Sequence, residues 1–299
     1  MRKLAMLASS QLEDDPAKFE KMTVIERSGV VEGFERLGPE WVKDHAIDDK
    51  FNGGVVDGYE HLAPVVDSDR AMEWLMQLVR TKGAKMVTAK ISGDLLAKEA
   101  DLKEHYGADA IVNATGLGAH ELASDDDVFP VRGAVLRIVN DGKDFPKIEK
   151  AMIWSTDSDA CGKFLDVVFM VPRNDNIMIL GSIVQKGETE LDLTVDSPVV
   201  KDMFERLKRF IPATRNARLD PEYPLAQGLR PFRQTNLRVE RDGRRCGRGR
   251  SSIVHCYGHG GAGWSLAFGS AAEAASLIED VVGAKATTSK DPLFTAARL

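Results

Sequence analysis

The chain has 299 residues, 43% hydrophobic and 29% charged, with 40 Lys and Arg against 46 Asp and Glu for a net charge of −6. That length holds one large domain or two ordinary ones, and the composition excludes disordered and fibrous classes for most of the chain. The mildly acidic balance offers no bulk attraction to nucleic acid or anionic membrane. Three scattered cysteines, Cys161, Cys246 and Cys256, give neither a disulfide framework nor a zinc motif, so a reducing compartment is the default. The most apolar stretch, Trp264–Ile278, contains Glu273 and is too short to cross a bilayer. The opening Met1–Asp15 turns acidic too early for a secretory signal.

Residues 1–60 are charged and lack clear strand periodicity, which predicts loop or helix with a break at Asn52-Gly53-Gly54. Ala63–Val66 reads as extended. Asp67 and Ser68 then offer an N-cap, Met72, Leu75, Met76 and Val79 recur at helical spacing, and Gly83 follows, so an amphipathic helix is expected. Lys85–Ile91 is a strand candidate and Asp94–Tyr106 a short helix ended by Gly107. Asp109–Asn113 is a short apolar strand running into Ala114-Thr115-Gly116. This alternation predicts a parallel sheet with crossovers. Small residues at the end of such a strand admit a ligand to the backbone, and a tight turn explains them equally well.

From Phe129 the pattern changes. Arg132–Ile138, Ala151–Trp154, Leu165–Val171 and Ile177–Gly181 are β runs, with Arg173–Asn176 as a hairpin connection, and predict an antiparallel sheet in a second domain. Ser197 and Pro198 open a helix whose Val200, Met203, Phe204, Leu207 and Phe210 form a core stripe, and Pro212 closes it. Residues 241–250 hold five arginines, expected as a solvated hairpin tip, with nucleic-acid contact a distant second. Ser252–Tyr257 is a strand, Gly258–Gly263 a glycine-rich loop, and Trp264–Val282 an Ala-rich helix.

Gly258-x-Gly260-x-x-Gly263 satisfies GxGxxG between a strand and a helix, where free backbone N–H groups suit a phosphate. A dinucleotide unit also needs a second strand with an acidic residue, and too little ordered sequence follows. The loop is expected to touch a ligand by close backbone approach, with packing as the alternative. Arg230, held before Pro231, suits bidentate capture of a carboxylate, and a surface salt bridge is the plainer explanation. His255 and His259 straddle a strand and a loop without a third ligand, so a metal site is not expected.

Asn113-Ala-Thr-Gly116, Arg132-Gly133, Gly228-Leu-Arg230-Pro231-Phe-Arg233, Arg238-Val-Glu240 and His255-Cys-Tyr-Gly-His-Gly-Gly-Ala-Gly263 stand in the order and approximate spacing of one family. From about Val65 to about Val282 the chain resembles the D-amino-acid oxidases, which include the D-aspartate oxidases. The resemblance implies an α/β fold in which an FAD-binding parallel-sheet domain interleaves with an antiparallel-sheet substrate domain. Residues 1–64 would lie on the substrate-domain side, 65–123 and 233–299 in the FAD-binding domain, and 124–232 in the substrate domain. It implies cofactor contacts at Lys90, Ile91, Thr115, Gly116, Gly260, Gly261, Ala262, Gly263, Trp264 and Ser265. Arg230 would pair with the substrate carboxylate and the Gly261 carbonyl would accept from its amine. The reaction implied is oxidation of a D-amino acid by FAD and O2, giving a 2-oxo acid, ammonia and hydrogen peroxide, with no protein general base.

The chain departs from the family pattern in two places. The family opens with a strand and a GxGxxG that hold the FAD pyrophosphate, and residues 1–60 show no such unit, so the FAD domain is expected to be incomplete at its N-terminus. Leu165 and Phe169 stand where the family has a tyrosine pair, so Phe169 is expected to pack on substrate without donating a hydrogen bond. Two further readings follow: a related glycine or amine oxidase, and a non-catalytic family member that does not hold FAD. The tail Ala297-Arg298-Leu299 resembles a peroxisomal import signal, and a homodimer is left open.

Overall fold

A computed structural model describes residues 1–51, 54–156, 167–246 and 249–283. Leu165, Cys161 and the Ala297–Leu299 tail lie outside the described residues. In chain order the elements are β1 (Arg2–Ala8), α1 (Pro16–Arg27), β2 (Glu35–Arg36), α2 (Pro39–Asp44), β3 (Asp57–Ala63), α3 (Ser68–Thr81), α4 (Glu99–Tyr106), β4 (Ile111–Asn113) and α5 (Ala119–Leu122). They continue with β5 (Val128–Val139), β6 (Ala151–Ser155), β7 (Val167–Pro172), β8 (Ile177–Lys186), α6 (Pro198–Phe210) and β9 (Leu225–Arg233). The last are β10 (Arg238–Arg241), β11 (Arg245–Cys246), β12 (Gly249–Arg250), β13 (Ile253–Tyr257) and α7 (Gly263–Val282). Contacts divide the chain into two units, residues 1–86, 133–184 and 191–228 in the first, and 87–132, 185–190 and 229 onward in the second.

The first unit is built on a mixed sheet in the order β2-β3-β1-β6-β7-β8-β5-β9, whose strands β5, β8 and β9 run on into the second unit. β6, β7 and β8 form the expected antiparallel meander, while β1 pairs antiparallel with β3 and parallel with β6. Leu136, Trp154, Met170, Met178 and Leu180 pack one face of the sheet against Val200, Met203, Leu207 and Phe210 of α6, with Phe204 at the margin. The α6 stripe is therefore the core face that its periodicity predicts. Trp154 is fully buried, lies edge-on to Phe51 with centroids 4.9 Å apart, and donates from Nε1 to the Gly54 carbonyl at 3.0 Å.

Three expectations are corrected. Residues 1–60 carry strands β1 and β3 besides their helices. Ala5 and Leu7 of β1 face the main core while Met6 and Ala8 face a second cluster, so the strand is covered on both faces and shows no polar alternation. β3 buries Glu60 and His61, and Glu60 is held by Lys3, Lys150 and the Trp41 indole, which disguises it as a polar loop. Lys85–Ile91 forms no strand and is exposed throughout. The helix expected from Asp94 starts only at Glu99, after a 3-10 turn over Leu96–Lys98. The α3 stripe exists, but none of its residues is buried, and Met72, Trp74 and Val79 face solvent.

In the second unit β13 lies between β10, antiparallel, and β4, parallel. The expected parallel sheet is thus one parallel pair with an antiparallel neighbour. α7 packs on β13 and β10. Among the described residues β4 pairs only with β13, so it is an edge, and its Val112 is 49% exposed. Trp264, Leu266 and Phe268 of α7 are exposed as well. No helix among the described residues is long and apolar enough to cross a membrane.

Trp154→Ala leaves an aromatic-sized hole in the first unit and orphans the Gly54 carbonyl. It is expected to lower unfolding stability by about 3–5 kcal/mol in urea titration, with Phe204→Ala costing clearly less.

Candidate active site

Four consecutive residues at the end of β9 lie against four glycines. A Cβ on Gly261 would come 3.9 Å from Arg230 Cδ, and one on Gly116 would come 3.4 Å from Pro231 Cγ. A Cβ on Gly260 would meet the Phe232 ring at 2.8 Å, and one on Gly258 would stand 3.1 Å from Arg233 Cβ. Phe232 also bridges to His259 through the backbone. Gly116 and Gly260 sit at φ +58° and +55°, a region that a side chain resists. At Gly260 and Gly258 the missing side chain is therefore a packing requirement of β9, the alternative that the sequence left open. Gly263 differs, because a Cβ there would meet nothing within 4 Å.

Gly263 begins α7, a helix of 20 residues with no side-chain cap. Its first N–H groups, including those of Gly263, Trp264 and Ser265, have no intrahelical acceptor and carry the positive end of the helix dipole. Gly263 also lines a cavity of about 360 Å³, with Ala114, Gly116, Pro231, Gly258 and Gly260, that continues along the flank of α7 past Ala267 and Ser270. Backbone without side chains, free donors and open space together fit a planar or phosphorylated cofactor.

Buried polar chains hold this loop from inside. Thr115 donates from Oγ1 to Asn113 Oδ1 at 2.7 Å, and the Asn113 amide is 3.3 Å from His255 Nδ1. His255 Nε2 is in turn 3.3 Å from the Asp242 carboxylate. Since the Asn113 oxygen accepts from Thr115, its amide donates to Nδ1, which leaves Nε2–H to donate to Asp242. His255 is fully buried; burial, with Arg238 nearby, pushes its pKa down and keeps it neutral. Burial alone would raise the Asp242 carboxyl, but hydrogen bonds from Arg244 outweigh this and bring it to about 2. A second buried carboxylate, Asp125, accepts from Tyr257 at 2.6 Å and from Arg233 at 2.9 Å.

From the sequence, Arg233 could favour an acidic substrate side chain or be structural, and residues 241–250 could be a solvated hairpin tip; these contacts bear on both. Arg233 is structural, engaged by Asp125, Asp127, Thr235 and the Asn236 carbonyl. In the basic stretch, Arg244 clamps Asp242 and Asp94, and Arg241 donates to the Ser251 carbonyl, so it is not simply a solvated tip. Asp125 and Asp242 were not legible as site-building residues, since each is a lone carboxylate in a loop. Among the described residues no three His, Cys, Asp or Glu side chains form a metal cluster. His255 is spent on Asp242 and Asn113, and His259 is 2.9 Å from Ser270 Oγ.

The expected site residues are distributed as follows. Thr115, Gly116, Arg230 and Gly260–Ser265 share the second unit, with Gly116, Gly260 and Gly261 against the end of β9. Arg230 is half-buried, and burial lowers its pKa, although an arginine remains charged. Lys90 and Ile91 line a different cavity of about 490 Å³, with Ser92, Lys98 and Asp101. Phe169 belongs to the first unit, on β7, where its ring covers Gly181 of β8; a Cβ there would stand 3.0 Å from the ring.

The family profile described as FAD dependent oxidoreductase matches residues 4–277. The chain belongs to the D-amino-acid oxidase family. It is 34% identical over 197 residues to D-aspartate oxidase 1 of Caenorhabditis elegans, covering 62% of this chain and 50% of that protein. To human D-aspartate oxidase it is 32% identical over 222 residues, covering 72% of this chain and 55% of that protein. To the D-amino-acid oxidase of Rubrobacter xylanophilus it is 30% identical over 214 residues, covering 71% and 57%. The chain thus spans about half the length of the curated D-amino-acid oxidase family members it matches. Among solved structures, glycine oxidase from Geobacillus kaustophilus aligns over 98% of this chain and 74% of its own, with TM-score 0.66 and 17% identity. That likeness shows the fold.

Gly260→Ala forces a methyl into the Phe232 ring at an unfavourable φ. It is expected to destabilise the protein by about 2 kcal/mol or more in denaturant titration. Asp242 has its folded pKa near 2 against an ordinary 3.8, so its contribution is complete above about pH 4 and is lost as pH falls through 2. Asp242→Asn is expected to lower stability at pH 7 and to flatten the loss between pH 4 and 2, measured by acid titration of unfolding.

Proposed function

We propose that the chain carries the substrate- and flavin-facing parts of an FAD-dependent oxidase of D-amino acids. The observation that carries this reading is the placement of Arg230 against Gly261, beside a bare helix N-terminus and a cavity floored by glycines. Family membership and the names of the relatives support it.

FAD, when bound, supplies two-electron acceptance, with O2 as final oxidant and hydrogen peroxide, ammonia and a 2-oxo acid as products. The chain's residues supply binding and orientation. The Arg230 guanidinium, partly withdrawn from water and stiffened by Pro231, clamps the substrate carboxylate in two parallel bonds. The Gly261 carbonyl accepts from the substrate amine, and these two anchors fix which hydrogen on Cα is presented. The α7 N–H groups and the open side of Gly263 accommodate the cofactor. The ion pairs of Arg233 with Asp125 and Asp127 support a structural role for it rather than selection of acidic side chains. No step here asks for a protein general base.

A second reading, that the chain alone does not retain FAD, is favoured by the edge at β4 and the exposed Val112, Trp264 and Phe268. The tail Ala297-Arg298-Leu299 suits a peroxisomal import receptor, a compartment compatible with peroxide release; deleting it from a fluorescent fusion tests that assignment.

Purified protein is expected to take up added FAD, seen as flavin absorbance after gel filtration, and to release peroxide with D-amino acids. Arg230→Ala should retain flavin and lose about 100-fold or more in kcat/KM. Gly263→Ala should leave stability unchanged or slightly raised while weakening flavin uptake. A colourless protein that ignores added FAD would favour the second reading, and full turnover in Arg230→Ala would remove the carboxylate role.

A further inference from the structure

The first unit holds a cavity that the reaction above does not use. It measures about 390 Å³, within the size range of small-molecule sites, and lies between the second face of the sheet and α1. Met6, Ile153, Val167 and Leu12 give it apolar walls, and Asp15, Lys18 and Lys21 border it from α1 and its cap.

Two features set it apart from a packing fault. Tyr59 lines the cavity and is 2% exposed, yet its hydroxyl has no hydrogen-bond partner among the described residues. That oxygen is not sealed from open space, so it stands as a donor toward the cavity that a ligand acceptor can engage. The charges at the border are unbalanced. Lys18 is held by Asp15 at 3.5 Å and by the Thr156 carbonyl at 3.3 Å. Lys21 is exposed and makes no ion pair among the described residues, so one positive charge is left over at the solvent side.

We propose that this cavity binds a small amphipathic monocarboxylate, its apolar body against Met6, Ile153 and Val167, with the Tyr59 hydroxyl and Lys21 supplying its polar contacts. The apolar walls supply most of the affinity and the cationic border selects an anion over an alcohol of equal length. The site is formed by first-unit residues alone and does not require the amino-acid site.

The test is equilibrium dialysis of the full chain against radiolabelled decanoate, with and without FAD, and decanol as the neutral comparison. Saturable binding of one equivalent is expected, stronger for decanoate than for decanol. Ile153→Trp, which fills the cavity, should abolish it. Tyr59→Phe, which removes one oxygen and keeps the ring, should weaken decanoate about fivefold or more. Lys21→Gln should weaken decanoate several-fold and leave decanol unchanged. Absence of saturable binding, or binding indifferent to both Ile153→Trp and Tyr59→Phe, would overturn the proposal. So would loss of binding in Arg230→Ala or displacement by D-alanine, since decanoate would then be occupying the amino-acid site. Failure of flavin uptake, by contrast, leaves this binding in place.

Discussion

The second unit depends on the seating of Arg230-Pro231-Phe232-Arg233 against glycines. A side chain on Gly260 would run into the Phe232 ring and one on Gly258 would crowd Arg233, while at Gly261 and Gly116 it would make ordinary contacts with Arg230 and Pro231. Dense packing allows little adjustment at such contacts. One strand therefore fixes Arg230, the loop after β4 and the loop before α7 together. Removing side chains from the loops makes the contact close, and the same bareness leaves backbone donors uncovered near Gly263.

The polar interior of this unit is organised as directed chains. Thr115 donates to Asn113, Asn113 to His255 and His255 to Asp242, and Arg244 neutralises the end of the chain. Asp125 gathers Tyr257 and Arg233 in the same way. Buried networks of this kind are stable only when every member is satisfied, and then they hold one geometry. Arg230 lies at the boundary, half-withdrawn from water, where a charge interacts more strongly than it would at the surface.

Much of this was legible in the sequence. α6 and α7, the β6–β8 meander, β13 with its glycine loop, and the motif around Arg230 all follow from periodicity and spacing. β1 and β3 were hidden because two-sided cover erases alternation, and because Glu60 is buried on the strength of Lys3 and Lys150, which are distant in sequence. Lys85–Ile91 failed in the opposite sense: it has strand composition but pairs with no strand among the described residues, and a strand exists only through its partners. In the site, the small residues could be read, but not which of them answer to β9 and which to a ligand. That distinction lives in the contacts of Phe232 and Arg233. Asp125 and Asp242 carried no local signal at all.

The edge at β4 has a consequence for how the protein behaves in a tube. Among the described residues β4 is paired on one side only, and such a strand, with its half-exposed Val112, is a template for another strand, to which the apolar side chains of α7 add adhesive surface. Nothing specific to catalysis is involved. Solubility, ageing and turbidity on concentration should all respond to that edge, and a single Lys at Val112 would act there as a gatekeeper against self-association.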